Sequence, residues 1–430
     1  MTGGADRGCP APASRREPVI GTDLSLYTVL PFVAMLLAVA LCPLRVPHWW
    51  EPNRNKLLVS GVLGFPILIL YLFRRPAALL RTGEEYLSFI ILLGGLYAIA
   101  GGVRLRGDLE ATPLTNTAFL ALGALLASFV GTTGASMLLI RPLLQTNSER
   151  ARIKHTVIFF IFLVSNIGGL LTPLGDPPLF LGYLEGVPFA WTFRLWLPWL
   201  CTTSVLLLTY FVWDSIQHTR EPLAALRRDR RRIEPLRLQG GVNGLWLAGV
   251  VLVVAFVREP WREVLIVALI GLSWWSTPRG VRRANGFTVY PIVEVAAIFF
   301  GIFLTMIPAL ELLRARGGEL GVREPWQFFW ATGALSSFLD NAPTYLAFLA
   351  LAQGLGLTDE VVGVSHAVLT GISMGAVFMG ANTYIGNAPN FMVKSIAEEA
   401  GVKMPSFLGY MAYSGSILLP LFVAATFLFF

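Results

Sequence analysis

The chain has 430 residues, 55% of them hydrophobic and 14% charged, with a formal net charge of +7. Soluble domains carry roughly 25% charged residues, and a mean hydropathy of +0.65 describes a surface too apolar to stay dispersed in water. The composition argues against a soluble enzyme or a nucleic-acid-binding domain and makes the lipid bilayer the expected solvent.

Residues 1–23 open the chain with a polar, Pro-, Gly- and Arg-rich stretch that lacks the apolar core of a signal peptide, so a mobile tail is expected there. A spanning helix needs about 20 mainly apolar residues. Candidate spans follow at 24–43, 56–73, 86–103, 190–213, 242–258, 262–276, 290–311 and 406–430. Two long segments, 156–186 and 361–398, are apolar, then break at Gly, Pro, Asn and Thr, then resume. Two more, 114–144 and 326–352, break at Gly-Thr-Thr-Gly and Asp-Asn-Ala-Pro. Backbone breaks at membrane depth are tolerated only inside protein or beside a water-filled cavity. Between the halves, 214–241 carries Arg220, Arg227, Arg228, Arg230, Arg231, Arg232 and Arg237, the mark of a cytoplasmic linker.

The chain aligns with itself. Thr172-Pro-Leu-Gly-Asp-Pro-Pro178 matches Thr383-Tyr-Ile-Gly-Asn-Ala-Pro389, and Ala127-Ser-Phe-Val-Gly-Thr132 matches Ser336-Ser-Phe-Leu-Asp-Asn341. A third block pairs 91–97 with 298–304 in the same order. The division expected is a first membrane repeat at 24–213, the basic linker 214–241 and a second repeat at 242–430. Each repeat reads as three spans, a re-entrant hairpin, a broken span and a closing span, an odd number of crossings that inverts the second copy. The fold expected is therefore an all-α polytopic membrane protein with about 10 transmembrane helices, two re-entrant hairpins and two inverted-topology repeats with broken helices. Arg74, Arg75 and Arg81 fall on the non-cytoplasmic side of this layout, against the usual charge bias.

Ionisable groups inside a membrane are costly and therefore functional suspects. Asp176 and Asp340 qualify, and Glu294 is a secondary candidate near an interface. Around Asp176, the Asn166 amide oxygen, the Thr172 hydroxyl and unwound carbonyls are hard oxygen ligands suited to an alkali cation. Capping of the half-helix after Pro178 is the plainer role for Asp176. The hairpin tips contribute Thr132, Thr133, Asn341 and Thr344, and the second break contributes Asn382, Thr383 and Asn387. Cys9, Cys42 and Cys201 and the four histidines are scattered, so neither a disulfide framework, a resident metal nor a cofactor is expected. His366 reads as a packed helix residue.

Asn166-Ile-Gly-Gly169 with Thr172-Pro-Leu-Gly-Asp-Pro-Pro178 in one half, and Phe338-Leu-Asp-Asn-Ala-Pro343 with Ala381-Asn-Thr-Tyr-Ile-Gly-Asn-Ala-Pro-Asn390 in the other, resemble the ion transporter superfamily. The resemblance runs from about residue 24 onward and is closest to citrate-transporter-like and sodium:proton antiporter-like bacterial proteins. It implies a multi-pass protein of a bacterial-type inner (plasma) membrane, and a homodimer, since relatives of the superfamily are often dimers. The superfamily's Ser-Asn-Thr signature is only partly matched, by Ser165-Asn166 and by Asn382-Thr383, with Thr132-Thr133 in the first hairpin. Asp340-Asn341 and Gly175-Asp176-Pro177 look more like its antiporter and arsenite-exporter branches.

The leading expectation is a sodium (cation)/proton antiporter in which Asp176 and Asp340 hold the cation when ionised and release it when protonated. A citrate, carboxylate or oxyanion transporter coupled to a cation or proton gradient is the second. An intramembrane aspartyl protease using the two aspartates as a dyad is a remote third, because the duplicated hairpins serve no purpose in that chemistry. The expected partners are the bilayer and a small ion or anion.

Overall fold

Lipid offers no hydrogen bonds, so a chain this apolar must satisfy its backbone within helices. The computed structural model describes residues 24–231, 233–356 and 360–430; the expected tail, 1–23, and Arg232 lie outside the described residues. The first half comprises α1 (Leu30–Arg45), α2 (Asn53–Arg74), α3 (Pro76–Ala100), strand β1 (Arg104–Asp108), α4 (Pro113–Val130), α5 (Thr132–Thr146), α6 (Lys154–Leu163), α7 (Pro177–Leu184) and α8 (Trp196–Thr219). A connecting helix α9 (Leu223–Arg231) and strand β2 (Glu234–Gln239) follow. The second half comprises α10 (Val242–Phe256), α11 (Trp261–Ser276), α12 (Tyr290–Arg316), α13 (Pro325–Ser336), α14 (Asn341–Leu355), α15 (His366–Met379), α16 (Ala388–Glu399) and α17 (Phe407–Phe429).

The order of elements is the same twice: three helices, a helix pair broken at its tip, a helix interrupted near its middle, and a closing helix. Seven helices among the described residues are long and apolar enough to cross a membrane. The chain is an all-α polytopic membrane protein, with one small antiparallel sheet in which Arg106 of β1 faces Arg237 of β2.

Two boundaries differ from the sequence reading. α3 begins at Pro76 rather than 86, taking Arg81, Glu84 and Glu85 into the helix, where Arg81 and Glu85 pair at 2.8 Å one turn apart. α8 continues past 213 to Thr219 because Asp214 is a buried residue of the helix, not part of a solvated linker. The linker is not featureless either, since α9 and β2 lie within it.

Polar contacts fix which helix ends share a face. β1 pairs with β2, Asn285 donates to the carbonyls of Gly101 and Val103, and Lys56 pairs with Glu294, which gathers the ends of α2, α3 and α12 at the arginine-rich face. Arg314 pairs with Glu185 and donates to Gln353, and Trp191 donates to His366, which gathers the ends of α7, α12, α14 and α15 at the opposite face. The α4–α5 hairpin therefore has its base at the arginine-rich face and the α13–α14 hairpin at the other. Roughly 36 Å of α8, at about 1.5 Å per residue, separates the two. Two arginines on the opposite face are matched by acids, Arg75 with Glu311 and Arg81 with Glu85, which reduces the charge penalty for placing them there.

The base of the first hairpin is tied by a buried network. The Asp214 carboxylate takes Arg150 Nη2 at 2.6 Å, His155 Nε2 at 2.8 Å and Asn116 Nδ2 at 3.1 Å. Asn116 and Asn147 exchange amide hydrogen bonds, which joins the two hairpin arms. Glu221 accepts from the backbone of Ala151 and Arg152, bringing the start of the linker under the same cluster. Beside it, burial pushes the Asp108 carboxyl up to about 6, with Glu149 and Asp229 adding like-charge repulsion.

Asp214→Ala strands a buried guanidinium, a loss on the order of 3–5 kcal/mol. It should sharply lower the unfolding midpoint of the detergent-solubilised protein. Arg230→Ala, which removes an exposed pair with Glu110, should leave that midpoint where it was.

Candidate functional site

The interruptions are written by Pro and Gly. In the first broken helix a 3-10 turn at Ile167–Leu170 follows α6, and α7 starts only at Pro177. Proline is suited to the first helical position, where its missing N–H would have had no partner. Asp176 precedes it in extended conformation (φ −144°, ψ 142°), and Asn387 precedes α16 with nearly the same angles (φ −151°, ψ 141°). Close backbone approach then demands glycine: a methyl group at Gly175 would sit 2.1 Å from the Gly169 carbonyl oxygen, and one at Gly386 would sit 2.5 Å from that of Gly380. The first hairpin turns at Gly131, whose φ of +81° falls in the region that disfavours side chains. Asp340 holds the equivalent place in the second hairpin with an ordinary φ of −57°.

Each break is pinned to its own hairpin by the same bonds. Thr172 Oγ1 donates to the Ser128 carbonyl, and Thr383 Oγ1 donates to that of Ser337. Ser128 Oγ donates to Gly168 O, and Ser337 Oγ donates to Met379 O at 3.0 Å. The amides of Leu174 and Ile385 return bonds to the two threonine hydroxyls at 3.1 and 3.3 Å. Thr172 and Thr383 thus act as fasteners that replace backbone partners lost when the helices unwind.

What differs between the halves forms the centre of the site. Asp176, 1% exposed, takes three donors: Thr132 Oγ1 at 2.9 Å and Asn387 Nδ2 at 3.0 Å on one oxygen, and Asn341 Nδ2 at 2.5 Å on the other. Those donors come from the first hairpin tip, the second break and the second hairpin tip. One carboxylate therefore joins both halves. It makes no side-chain cap bond to α7, so its oxygens are committed across the interface rather than to its own helix.

Next to this centre, Asn166 Nδ2 donates to Asn390 Oδ1 at 2.7 Å and to the Ile161 carbonyl at 2.8 Å. Its Oδ1 is buried with no hydrogen-bond partner. A methyl group at Gly380 would lie 3.1 Å from that oxygen, so the glycine lets the second break pack close to it. An uncommitted buried amide oxygen is a hard donor of the kind alkali cations take.

The remaining candidates are placed as follows. Asp340 caps α14, accepting from Ala342 N at 3.0 Å, and its backbone carbonyl accepts from Thr344 Oγ1 at 2.9 Å. The two aspartates are therefore not equivalent: Asp176 is enclosed by side-chain donors and Asp340 is half-buried at a tip. Asn382 Nδ2 donates to Ser337 Oγ at 2.9 Å, and Thr133 is half-buried one residue past Thr132. Glu294 stands apart at the arginine-rich face, 37% exposed and paired with Lys56 at 2.8 Å. His366 opens α15 and accepts from Trp191. Sequence reasoning missed Ser128 and Ser337, although the Ser-Phe shared by the aligned blocks carried the signal. It also missed the buried Arg150–Asp214 pair, for which the lone Asp214 at the end of an apolar run was the hint.

Helices broken at membrane depth, with their ends meeting around one dehydrated carboxylate, define a membrane transporter. The chain matches the family described as "Putative citrate transport" over residues 21–430 and belongs to that family. It is also similar to two uncharacterized transporters, from Mycobacterium tuberculosis and Mycobacterium bovis. Each is 27% identical over 353 residues, covering 74% of this chain and 80% of the relative.

Gly175→Ala should destabilise the break by at least about 1–3 kcal/mol, the usual cost of overpacking. It should lower the yield of monodisperse protein on size exclusion. Gly244→Ala, where a methyl group meets nothing, should elute like the parent.

Proposed function

We propose that this family member is an ion-coupled secondary transporter whose coupling ion, a proton or an alkali cation such as sodium, is handled at Asp176. The observation that carries the reading is the set of three donors to Asp176 from Thr132, Asn341 and Asn387. A change of charge on that one group alters the bonds that hold both hairpin tips to the first break. Proton and cation compete for it: the ionised carboxylate attracts the cation, and protonation removes the attraction. The uncommitted Asn166 oxygen offers a neighbouring hard donor for the cation. Asp340, set at a tip as a helix cap, tunes the approach to this centre. The two repeats, running in opposite senses about Asp176, would exchange access between the faces. Placing the arginine-rich face in the cytoplasm of a bacterial-type plasma membrane agrees with the charge bias of membrane proteins.

Cation/proton exchange is the reading the Asp176 centre favours. Citrate transport is the second, and the family description favours it. The N-termini of α5 and α16, which carry no side-chain cap bond, present partial positive charge that suits a carboxylate.

Proton flux in proteoliposomes, followed with a pH-sensitive dye during sodium, lithium or potassium pulses, tests the proposal. A cation-dependent pH change should appear, fall at least about tenfold in Asp176→Asn, as loss of a committed charged partner implies, and fall less in Asp340→Asn. Full exchange in Asp176→Asn would refute the assignment. Uptake of labelled citrate without cation/proton exchange would select the second reading.

A further inference from the structure

Phe180 and Phe391 occupy equivalent places, each four residues after the residue that precedes its half-helix, Asp176 or Asn387. Their surroundings are opposite: Phe180 is 1% exposed and Phe391 is 53% exposed. The difference extends along both half-helices. On α16, Ala388, Phe391 and Glu398 are exposed and Lys394 is half-buried, a stripe at helical spacing that runs from the Asp176 centre to the arginine-rich face. On α7, Pro177 is half-buried and the following residues are closed over until Tyr183.

The cavities follow the same asymmetry. A cavity of about 430 Å³ is lined by Tyr384, Ile385, Phe391, Lys394 and Glu398, with Leu44 of α1 across from them. Tyr384 and Ile385 belong to the break itself, between Thr383 and Asn387, so this space borders the second break. Leu44 ends a helix whose successor, α2, is tied by Lys56–Glu294 to the arginine-rich face, which sets the side on which the cavity opens. A second cavity, of about 590 Å³, lies at the outer end of α7 between Tyr183, Leu184, Arg258 and Arg262. It stops short of Phe180, which lies against Phe89 and Tyr183.

We infer that the groove over Phe391 is the route by which a hydrophilic solute reaches the Asp176 centre from the arginine-rich face, and that Phe180 closes the equivalent route from the other face. The lining suits a small polar or anionic solute: Lys394 lies 5.6 Å from the rings of both Tyr384 and Phe391 and pairs with Glu398 at 2.8 Å. A solute arriving there meets a cation that can shift between its carboxylate partner and the solute, then the aromatic floor, then the break. The inference rests on the transporter reading for its purpose but on exposure and cavity shape for its geometry.

Thiol accessibility tests it. With Cys9, Cys42 and Cys201 replaced by serine, single variants Ala388→Cys, Phe391→Cys and Phe180→Cys are reconstituted in vesicles of known orientation. They are then treated with a membrane-impermeant methanethiosulfonate. A thiol reacts as its thiolate, so it reacts where water reaches it and stays inert against lipid. Ala388→Cys and Phe391→Cys should label from the arginine-rich face only, at least about tenfold faster than Phe180→Cys from either face. No labelling at 388 and 391 would mean that the stripe faces lipid, and would overturn the inference. So would labelling from the opposite face, or equal labelling at 180. The assay involves no transport: the expected labelling with no cation or citrate flux would leave the route standing and sink the transport reading, while flux with no labelling would do the reverse.

Discussion

A carboxylate withdrawn from water at membrane depth must be met by donors, because an unpaired buried charge costs far more than any single contact returns. Asp176 has no water-facing alternative and no cap bond to its own helix, so the chain must bring Thr132, Asn341 and Asn387 to it. Each of those residues stands where a helix ends. The ends can meet at one point only if the hairpins approach from opposite faces, as their bases at Asp214 and at Arg314 show. The helix interruptions, the glycines of each break and the separation of the hairpin bases all follow from supplying that one group.

Duplication divides the residues by task. Those that are the same in both halves, Thr172 with Thr383 and Ser128 with Ser337, restore backbone hydrogen bonds where the helix unwinds. Those that differ, Asp176 against Asn387 and Thr132 against Asn341, build the centre. A fully symmetric site would place two carboxylates side by side, each raising the cost of ionising the other. Replacing one by the Asn387 amide supplies a donor instead. The same departure from symmetry marks the route to the site, since the two half-helices present equivalent phenylalanines to unlike surroundings.

Much of this was legible in the sequence because the signals are local. Pro and Gly mark breaks by backbone geometry alone, and the paired Thr-x-x-Gly-(Asp/Asn)-x-Pro motifs marked the two breaks as equivalent. Asp176, Thr132, Asn341 and Asn387 were each picked out. What could not be read was their convergence on a single carboxylate, which depends on packing between distant segments. Asp176 and Asp340 looked alike as intramembrane acids, yet one is caged and the other caps a helix, a distinction set by which side-chain donors reach it. The buried Arg150–Asp214 pair escaped for the same reason: a basic residue in a connecting segment fits a charge-bias rule, and only packing shows that an aspartate from another helix buries it. Boundaries slipped where polar residues pair within a helix, as Arg81 does with Glu85 at the start of α3.

The central claim is that a proton and an alkali cation compete for Asp176. It is tested most directly by proton release on cation binding, recorded with a pH dye in weakly buffered, detergent-solubilised protein. The account predicts that adding sodium or another alkali cation releases protons in proportion to protein, and that Asp176→Asn releases none while Asp340→Asn still does. Release that persists in Asp176→Asn, or cation binding with no proton released at any pH between about 5 and 9, a range that brackets where buried carboxylates titrate, would contradict it.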